Sequence, residues 1–542
     1  MLVKQSVLWL WWTLGGNNFE VFYSLLIFIG GAATVSRILR LKRSLALPPG
    51  PWGCPIRGYL PNMTGPTHLK FKKLADDFGK IFSVSFGSDV IVVLSDYQKI
   101  REMFSKEEYT GRPHTDFMNI INGYGIVNTE GALWSEQRKF LHDKLRKFGM
   151  MNSGMGRANM EKRIMCEVDM FLQELRTRKE EPTNISSPLA VAISNVICSL
   201  TMGVRFSNDD PKFKRFMDLI DEGFKLFGKL TYANHIPILR YLPGINGIRN
   251  KISQNRAEMV EFFQQIIDDH RTHWKLNGTD GLIQMSDIRD IVDAYLYEIQ
   301  EAEREGRDHE LFQGKDKDRQ MQQIMGDLFS AGMETVKNTL EWSMVFMLNY
   351  PEAAKAVQKE LDEKVGRTRL PLLKDLPDLP ITDATIQEIL RRSTLVPLGT
   401  THATTRDVSL DNYTLPAGTH VIPLLYKVHM DPTLWDEPEA FRPSRFLSED
   451  KTTVNKPKYF MPFGAGRRIC LGETLARMEI FLFFSSMMHM FHLNLPKDAS
   501  PPSLEGNVGI TISPKPFEVC LQYRGLDQDC GSNGPLRNIG SH

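Results

Sequence analysis

The chain of 542 residues predicts a mainly α-helical fold with small β-sheets, built as one large domain behind an apolar N-terminal segment. Three observations predict it. Long stretches such as "RIMCEVDMFLQELRTR", "NRAEMVEFFQQIIDDHRTHW", "QQIMGDLFSAGMETVKNTLEWSMVFML" and "EAAKAVQKELDEKV" repeat apolar residues at helical spacing. Two regions, 80–96 ("KIFSVSFGSDVIVVLSD") and 402–425 ("HATTRDVSLDNYTLPAGTHVIPLL"), alternate, carry β-branched residues and read as hairpins. No Gly/Ser/Pro-rich linker or break in composition interrupts the motifs that run from Trp134 to Cys470. With 42% hydrophobic and 24% charged residues, the chain can bury a large core.

At the N-terminus, the apolar runs Ser6–Leu14 and Val21–Val35 are each shorter than the roughly 20 residues of a spanning helix, although Phe19–Leu41 is long enough with Glu20 and Arg37 near the interfaces. The basic cluster Arg37, Arg40, Lys42 and Arg43 follows the apolar run. A cleaved signal peptide carries its charge before that run, so residues 1–46 read as a membrane anchor with a basic stop that keeps the body in the cytosol. Residues 47–56, "LPPGPWGCP" and its neighbour, form a stiff proline-rich hinge. Residues 57–524 make the main domain, and 525–542 a disordered tail. The net charge of +1 argues against nucleic acid as a partner. Six scattered cysteines give neither a disulfide framework nor a zinc spacing, which favours a reducing, cytosol-facing location.

Within the domain, "WSEQRKFLHDKLRKFG" carries Trp134 and Arg138 one turn apart, with Lys139, Lys144, Arg146 and Lys147 on the same helix. The charged stretch Tyr297–Gln320 reads as a solvated helix end and loop. In "MGDLFSAGMETVKNTLEW", Ala331 and Thr335 face the same way with Gly332 between them. A Thr hydroxyl there can bond back to the carbonyl four residues earlier, and the glycine makes a local opening of the helix cheap. Glu388 and Arg391, three apart in "TIQEILRRS", are placed for an ion pair.

The most informative stretch is "FMPFGAGRRICLGE", Phe460–Glu473, where Cys470 lies between a glycine-rich basic turn and a helix-like run. Gly464 and Gly466 allow the backbone to approach a flat ring, Arg467 and Arg468 bring charge for carboxylates, and Gly472 leaves room beside the sulfur. A helix start and nearby cations favour the thiolate of Cys470 at neutral pH. Haem iron held by a cysteine thiolate favours splitting of the O–O bond, so the chemistry implied is oxygen insertion.

Phe463, Gly466, Arg468, Cys470 and Gly472 together resemble the signature of the cytochrome P-450 superfamily of haem-thiolate monooxygenases. The resemblance implies haem b with Cys470 as axial ligand, its propionates held by Trp134, Arg138, His402 and Arg468, and NADPH used indirectly through a reductase. It implies Glu334 and Thr335 as the acid–alcohol pair that delivers protons, beside Ala331 and Gly332. It also implies a buried network of Glu388, Arg391 and Arg445. The expected partners are NADPH-cytochrome P-450 reductase docking on the basic helix of Arg138, cytochrome b5 as a second candidate donor, membrane lipid and a small lipophilic substrate, at the endoplasmic reticulum membrane. The resemblance places the substrate pocket among 111–131, 395–401 and 506–510, a mostly apolar lining with scattered Asn, Tyr and Thr that suits a flat lipophile with several hydroxyls.

From Pro48 to Cys520, runs such as "RKFLHDKLRKFGM", "RFSNDDPKF", "DLFSAGMET", "VHMDP" and "FRPSRF" are similar to the ecdysteroid 26-hydroxylases of insects. That implies hydroxylation of the terminal side-chain carbon of 20-hydroxyecdysone, with onward oxidation to the acid. Two other readings stay open. One is a monooxygenase of another steroid or lipophilic xenobiotic. The other is a non-catalytic haem protein, which needs Cys470 but not Glu334 and Thr335 together.

Overall fold

The computed structural model describes residues 65–525, apart from 88, 152, 208, 237–238, 240 and 279–281, together with 28, 30–31, 47–51, 53–54 and 57–59. The expected anchor and tail lie almost wholly outside the described residues. Among the described residues, no helix is long and apolar enough to cross a membrane.

The principal helices are α1 (Thr67–Phe78), α2 (Tyr97–Ser105), α3 (Gly131–Lys147), α4 (Met155–Arg176), α5 (Ser186–Thr201), α6 (Pro211–Lys229), α7 (Pro243–Asn277), α8 (Ile291–Arg304), α9 (Lys317–Asn349), α10 (Pro351–Lys364), α11 (Pro380–Ser393) and α12 (Glu473–Met490). Prolines open α7, α10 and α11, at positions where the missing N–H has no helical partner to lose. The Asp316 carboxylate caps α9 by accepting from the Arg319 N–H at 2.8 Å. This helix is the axis of the body: it packs against α5, α7, α11 and α12, and is buried along most of its length.

A sheet lies to one side, in the strand order β1 (Ile81–Phe86), β2 (Asp89–Leu94), β6 (His420–Pro423), β3 (His402–Ala403). The hairpin expected at 80–96 forms, with Ile81 opposite Leu94. The region 402–425 is not one hairpin. Its middle pairs as β4 (Val408–Leu410) with β5 (Tyr413–Leu415), while β6 leaves to run parallel to β2 and antiparallel to β3. The reason is burial on both faces: Val421 enters one apolar cluster and Ile422 another, which requires an interior strand with neighbours on both sides. Three short strands near the C-terminus, β7 (Phe491–Asn494), β8 (Gly506–Val508) and β9 (Ile512–Pro514), precede β10 (Cys520–Tyr523), which pairs with β7, and β8 with β9 forms a hairpin against α9. In the proline-rich segment, the Pro48 and Pro49 carbonyls accept from the Ser83 hydroxyl (2.6 Å) and N–H (2.8 Å), so this stretch lies along β1.

Candidate active site

Cys470 sits three residues before α12, in the loop that follows a 3₁₀ turn at Gly466–Arg468. The Cys470 N–H donates to the Phe463 carbonyl at 3.1 Å, folding the loop on itself. By surface area Cys470 is exposed, yet burial pushes its thiol up, against the lowering effects of the Gly472 N–H, Arg138 and Arg477. Both are true of a residue that is enclosed by protein but faces an internal hollow. In this loop, against the expectation from the sequence, helix start and cations do not outweigh desolvation of the thiol.

The glycines divide by what surrounds them. At Gly464 and Gly472 an added Cβ would meet nothing within 4 Å, as beside a flat group. Gly466 has another role: with φ +80° it lies so close to α2 that a Cβ would fall 2.1 Å from the Phe104 carbonyl oxygen, so packing against backbone demands it. Arg467 is exposed and donates to the Ser105 carbonyl at 3.1 Å, so it stands outside the cation cluster expected of it.

That cluster is built around Trp134. The Arg468 guanidinium carbon lies 4.2 Å from the indole centroid and that of Arg138 5.9 Å. Arg468 donates to the Thr110 and Thr129 carbonyls at 2.7 and 2.5 Å, and Arg138 to the Ile469 carbonyl at 2.6 Å. His402 stacks on Phe104 with centroids 3.9 Å apart and donates from Nδ1 to the Tyr109 carbonyl at 2.7 Å. A further cation was not singled out from sequence: Arg112, buried, bonds the Val127 and Thr401 carbonyls at 2.9 and 2.8 Å. Its signal was an arginine inside a stretch otherwise read as apolar pocket wall. Burial and mutual repulsion push Arg468 down to about 8, Arg112 to about 10 and His402 to about 3. Their side chains bond neutral carbonyls, and the Glu130 carboxylate, which accepts the Arg112 main-chain N–H at 2.9 Å, offsets only part of the positive charge. A dianionic flat group in the hollow, such as haem, supplies what is missing, and the open glycines and the enclosed Cys470 fit the same group.

On α9, Ala331 is exposed although the helix around it is core, so this turn also borders a hollow. The Thr335 hydroxyl donates to the Ala331 carbonyl at 2.7 Å, the back-bond read from sequence. The helix nevertheless runs unbroken from Lys317 to Asn349, and Gly332 makes no opening. A Cβ there would lie 2.6 Å from Ile197 Cδ1, so the glycine serves close contact with α5. Glu334 Oε1 accepts from Asn338 Nδ2 at 2.8 Å and from Thr511 Oγ1 at 3.3 Å. Two turns before Glu334, buried Asp327 accepts the Ile126 and Val127 N–H groups at 2.8 and 3.0 Å, and two turns further back Gln320 bonds both the N–H and C=O of Gly125 (3.0 and 3.2 Å). Burial pushes the Asp327 carboxyl up, opposed by those two N–H groups.

Behind the loop, Arg391 donates to both Glu388 oxygens (2.7 and 2.8 Å), and Arg445 Nε and the Arg442 N–H add bonds at 3.0 and 2.9 Å. Phe463 also has a cation against it, Arg477 at 4.7 Å from the ring centroid. His429, missed from sequence, ties this network to the cysteine loop. It donates from Nδ1 to Thr394 Oγ1 (3.1 Å), whose own proton goes to the Arg391 carbonyl (2.6 Å), and accepts the Met461 N–H on Nε2 (3.1 Å). Of the basic residues on α3, Lys139, Arg146 and Lys147 are exposed, whereas Lys144 is buried 5.0 Å from the Phe140 ring centroid, so its stem packs inward.

A sequence model of the family described as Cytochrome P450 matches residues 48–521. Cytochrome P450 18a1 of Drosophila melanogaster is 52% identical over 522 residues, spanning 96% of this chain and 95% of that protein. Human Cytochrome P450 2U1 is 33% identical, spanning 90% of this chain and 91% of its own length. Human Cytochrome P450 2D6 is 34% identical, over 90% and 95% respectively.

Proposed function

Because the chain belongs to the cytochrome P450 family of haem-thiolate monooxygenases, which draw electrons from NADPH through a reductase, we propose that it hydroxylates the C-26 side-chain carbon of ecdysteroids such as 20-hydroxyecdysone, carries the alcohol on to the carboxylic acid, and so inactivates the hormone. The observation that carries the substrate is the sequence similarity that extends over almost the whole chain, at 52% identity to one insect relative.

Haem bound through a cysteine thiolate supplies oxygen activation and O–O bond cleavage. In this reading Cys470 is the ligand, and Phe463, Gly466 and Gly472 shape its loop. Trp134, Arg138, His402, Arg468 and Arg112 would hold the propionates, the three guanidiniums because Glu130 offsets only part of their charge and the other two as hydrogen-bond donors. Ala331 and Gly332 border the reaction space. Glu334 and Thr335 pass protons toward it, the hydroxyl being oriented by its bond to Ala331 and the carboxylate one residue away. Glu388, Arg391 and Arg445 brace the loop through His429. An acidic reductase docks on the exposed Lys139, Arg146 and Lys147, with cytochrome b5 as a further candidate donor. Residues 1–46 anchor the domain 57–524 to the endoplasmic reticulum through the hinge 47–56, leaving 525–542 as a tail.

The test gives 20-hydroxyecdysone and NADPH to membranes holding this protein and its reductase, with product mass spectrometry and a carbon-monoxide spectrum as control. Side-chain hydroxylated and carboxylated products are expected. Intact haem-thiolate protein that yields none overturns the ecdysteroid assignment and leaves another steroid or xenobiotic as substrate.

A further inference from the structure

We propose that Asn338 and Thr511 are positioning residues that hold the Glu334 carboxylate, and that through Thr511 the turn between β8 and β9 sets where that carboxylate stands. The proposal rests on the reading of Glu334 as a proton donor and adds to it how the donor is placed.

Three contacts close a triangle. Asn338 Nδ2 donates to Glu334 Oε1 at 2.8 Å and to Thr511 Oγ1 at 3.1 Å, and Thr511 Oγ1 donates to the same Glu334 oxygen at 3.3 Å. Neither donor bonds Oε2, so the carboxylate is gripped by one oxygen and the other stays available for transfer. Asn338 is fully buried, and its own Oδ1 has no partner. An asparagine that leaves its carbonyl unsatisfied in the core is a poor choice for stability; here its amide is turned so that both N–H groups serve Glu334 and Thr511.

Thr511 is not on α9. It lies in the turn between β8 and β9 with Ile510, 49% exposed, next to Val508, 44% exposed at the end of β8, in the segment expected from the sequence at the pocket wall. Its neighbour Ile512 is fixed from both sides: its carbonyl accepts from Trp342 Nε1 at 2.7 Å and its N–H donates to the Leu395 carbonyl at 2.8 Å. The turn is therefore joined directly to a held residue, and the polar side chain it carries is the Thr511 hydroxyl. A lipophile that presses on Val508 and Ile510 acts on the grip around Glu334, which links how a substrate seats to how well protons arrive.

The experiment uses the full chain in membranes with its reductase, 20-hydroxyecdysone as probe, and the variants N338L, T511V, T511S and E334Q. The readings are product formed and peroxide released per NADPH, the solvent isotope effect on turnover, and substrate affinity from the absorbance change on binding. In N338L and T511V we expect product per NADPH to fall about three- to ten-fold, a part of what a positioned acid supplies, with peroxide and the isotope effect rising and affinity unchanged. T511S, which keeps the hydroxyl, restores coupling. If E334Q is uncoupled while N338L and T511V behave as the parent, the clamp is wrong and the donor stands. If E334Q itself stays coupled, the donor reading fails and the clamp with it. Equal loss in T511V and T511S also overturns the proposal, because packing rather than the hydroxyl is then responsible.

Discussion

Replacing Glu388 with alanine removes the acceptor for the bonds from Arg391 Nε and Nη2, Arg445 Nε and the Arg442 N–H. Glu388 and Arg391 are both 0% exposed, so the Arg391 guanidinium loses its carboxylate in the core, while Arg445, only half-buried, loses it at the edge of that region. Breaking a buried pair in this way costs about 3–5 kcal/mol. Arg391 retains the His429 and Pro438 carbonyls at 2.8 and 2.9 Å, and Arg445 the Asp436 carbonyl at 2.9 Å. Those partners soften the loss, so we expect E388A nearer ~3 than ~5 kcal/mol, still a large share of a typical stability of about 5–15 kcal/mol. The damage travels through Thr394 and His429 to the Met461 N–H, which fixes the start of the cysteine loop. The measurements are the thermal midpoint of the purified chain and the carbon-monoxide absorbance of the thiolate form per mole of protein. Both fall in E388A, and E388Q, which keeps the acceptor oxygen without the charge, lies between. An E388A protein with the parent's midpoint and full thiolate absorbance would refute the reasoning.

Stability to acid depends on His429, whose ring is fully buried and pushed down to about 3 by desolvation and by Arg391. An unfolded His binds its proton near pH 6.5, so its contribution is complete above that value and drains away as pH falls toward 3; H429Q flattens this limb in urea titrations run across that window. Adding a methyl at Gly332 crowds Ile197 Cδ1, which a Cβ would approach to 2.6 Å. G332A should lose about 1–3 kcal/mol by overpacking, and I197V in the same chain should return part of it, as read by a double-mutant cycle of thermal midpoints. Truncating Arg112 in R112L removes one of three clustered guanidiniums. Haem should pass to apomyoglobin faster than from the parent, and an unchanged transfer rate would count against Arg112 as a propionate contact.

The parts of the site that were legible in the sequence are those written in local spacing. Glu388 and Arg391 meet because three residues are one helical turn, and the Thr335 back-bond to Ala331 follows from a separation of four. The glycines of the Cys470 loop were legible as a set, but their separate duties were not: Gly466 answers to Phe104 and Gly332 to Ile197, residues remote in the chain. Long-range partners explain the other omissions. Arg112 bonds a carbonyl 289 residues away, His429 an N–H 32 residues away, and Asn338 a hydroxyl 173 residues away. No periodicity encodes such pairs. The exchange of β6 from its expected hairpin to β2 has the same origin, since the sequence of a strand does not say which neighbour will cover its second face.

The segment after Ile121 is attached to α9 in an unusual way. Asp327 and Gln320 grasp only its main chain, at Gly125, Ile126 and Val127, and ask nothing of the side chains there. Of the three, only Gly125 is constrained by that grip, because with φ +91° a Cβ would sit 2.4 Å from Asp327 Oδ2. The bonds themselves place no demand on the side chains of Ile126 and Val127, although Ile126 is held by the core it packs in. Val127, 37% exposed, can therefore be exchanged without moving the backbone that α9 holds, whereas Ile126 stays tied by its packing in the core.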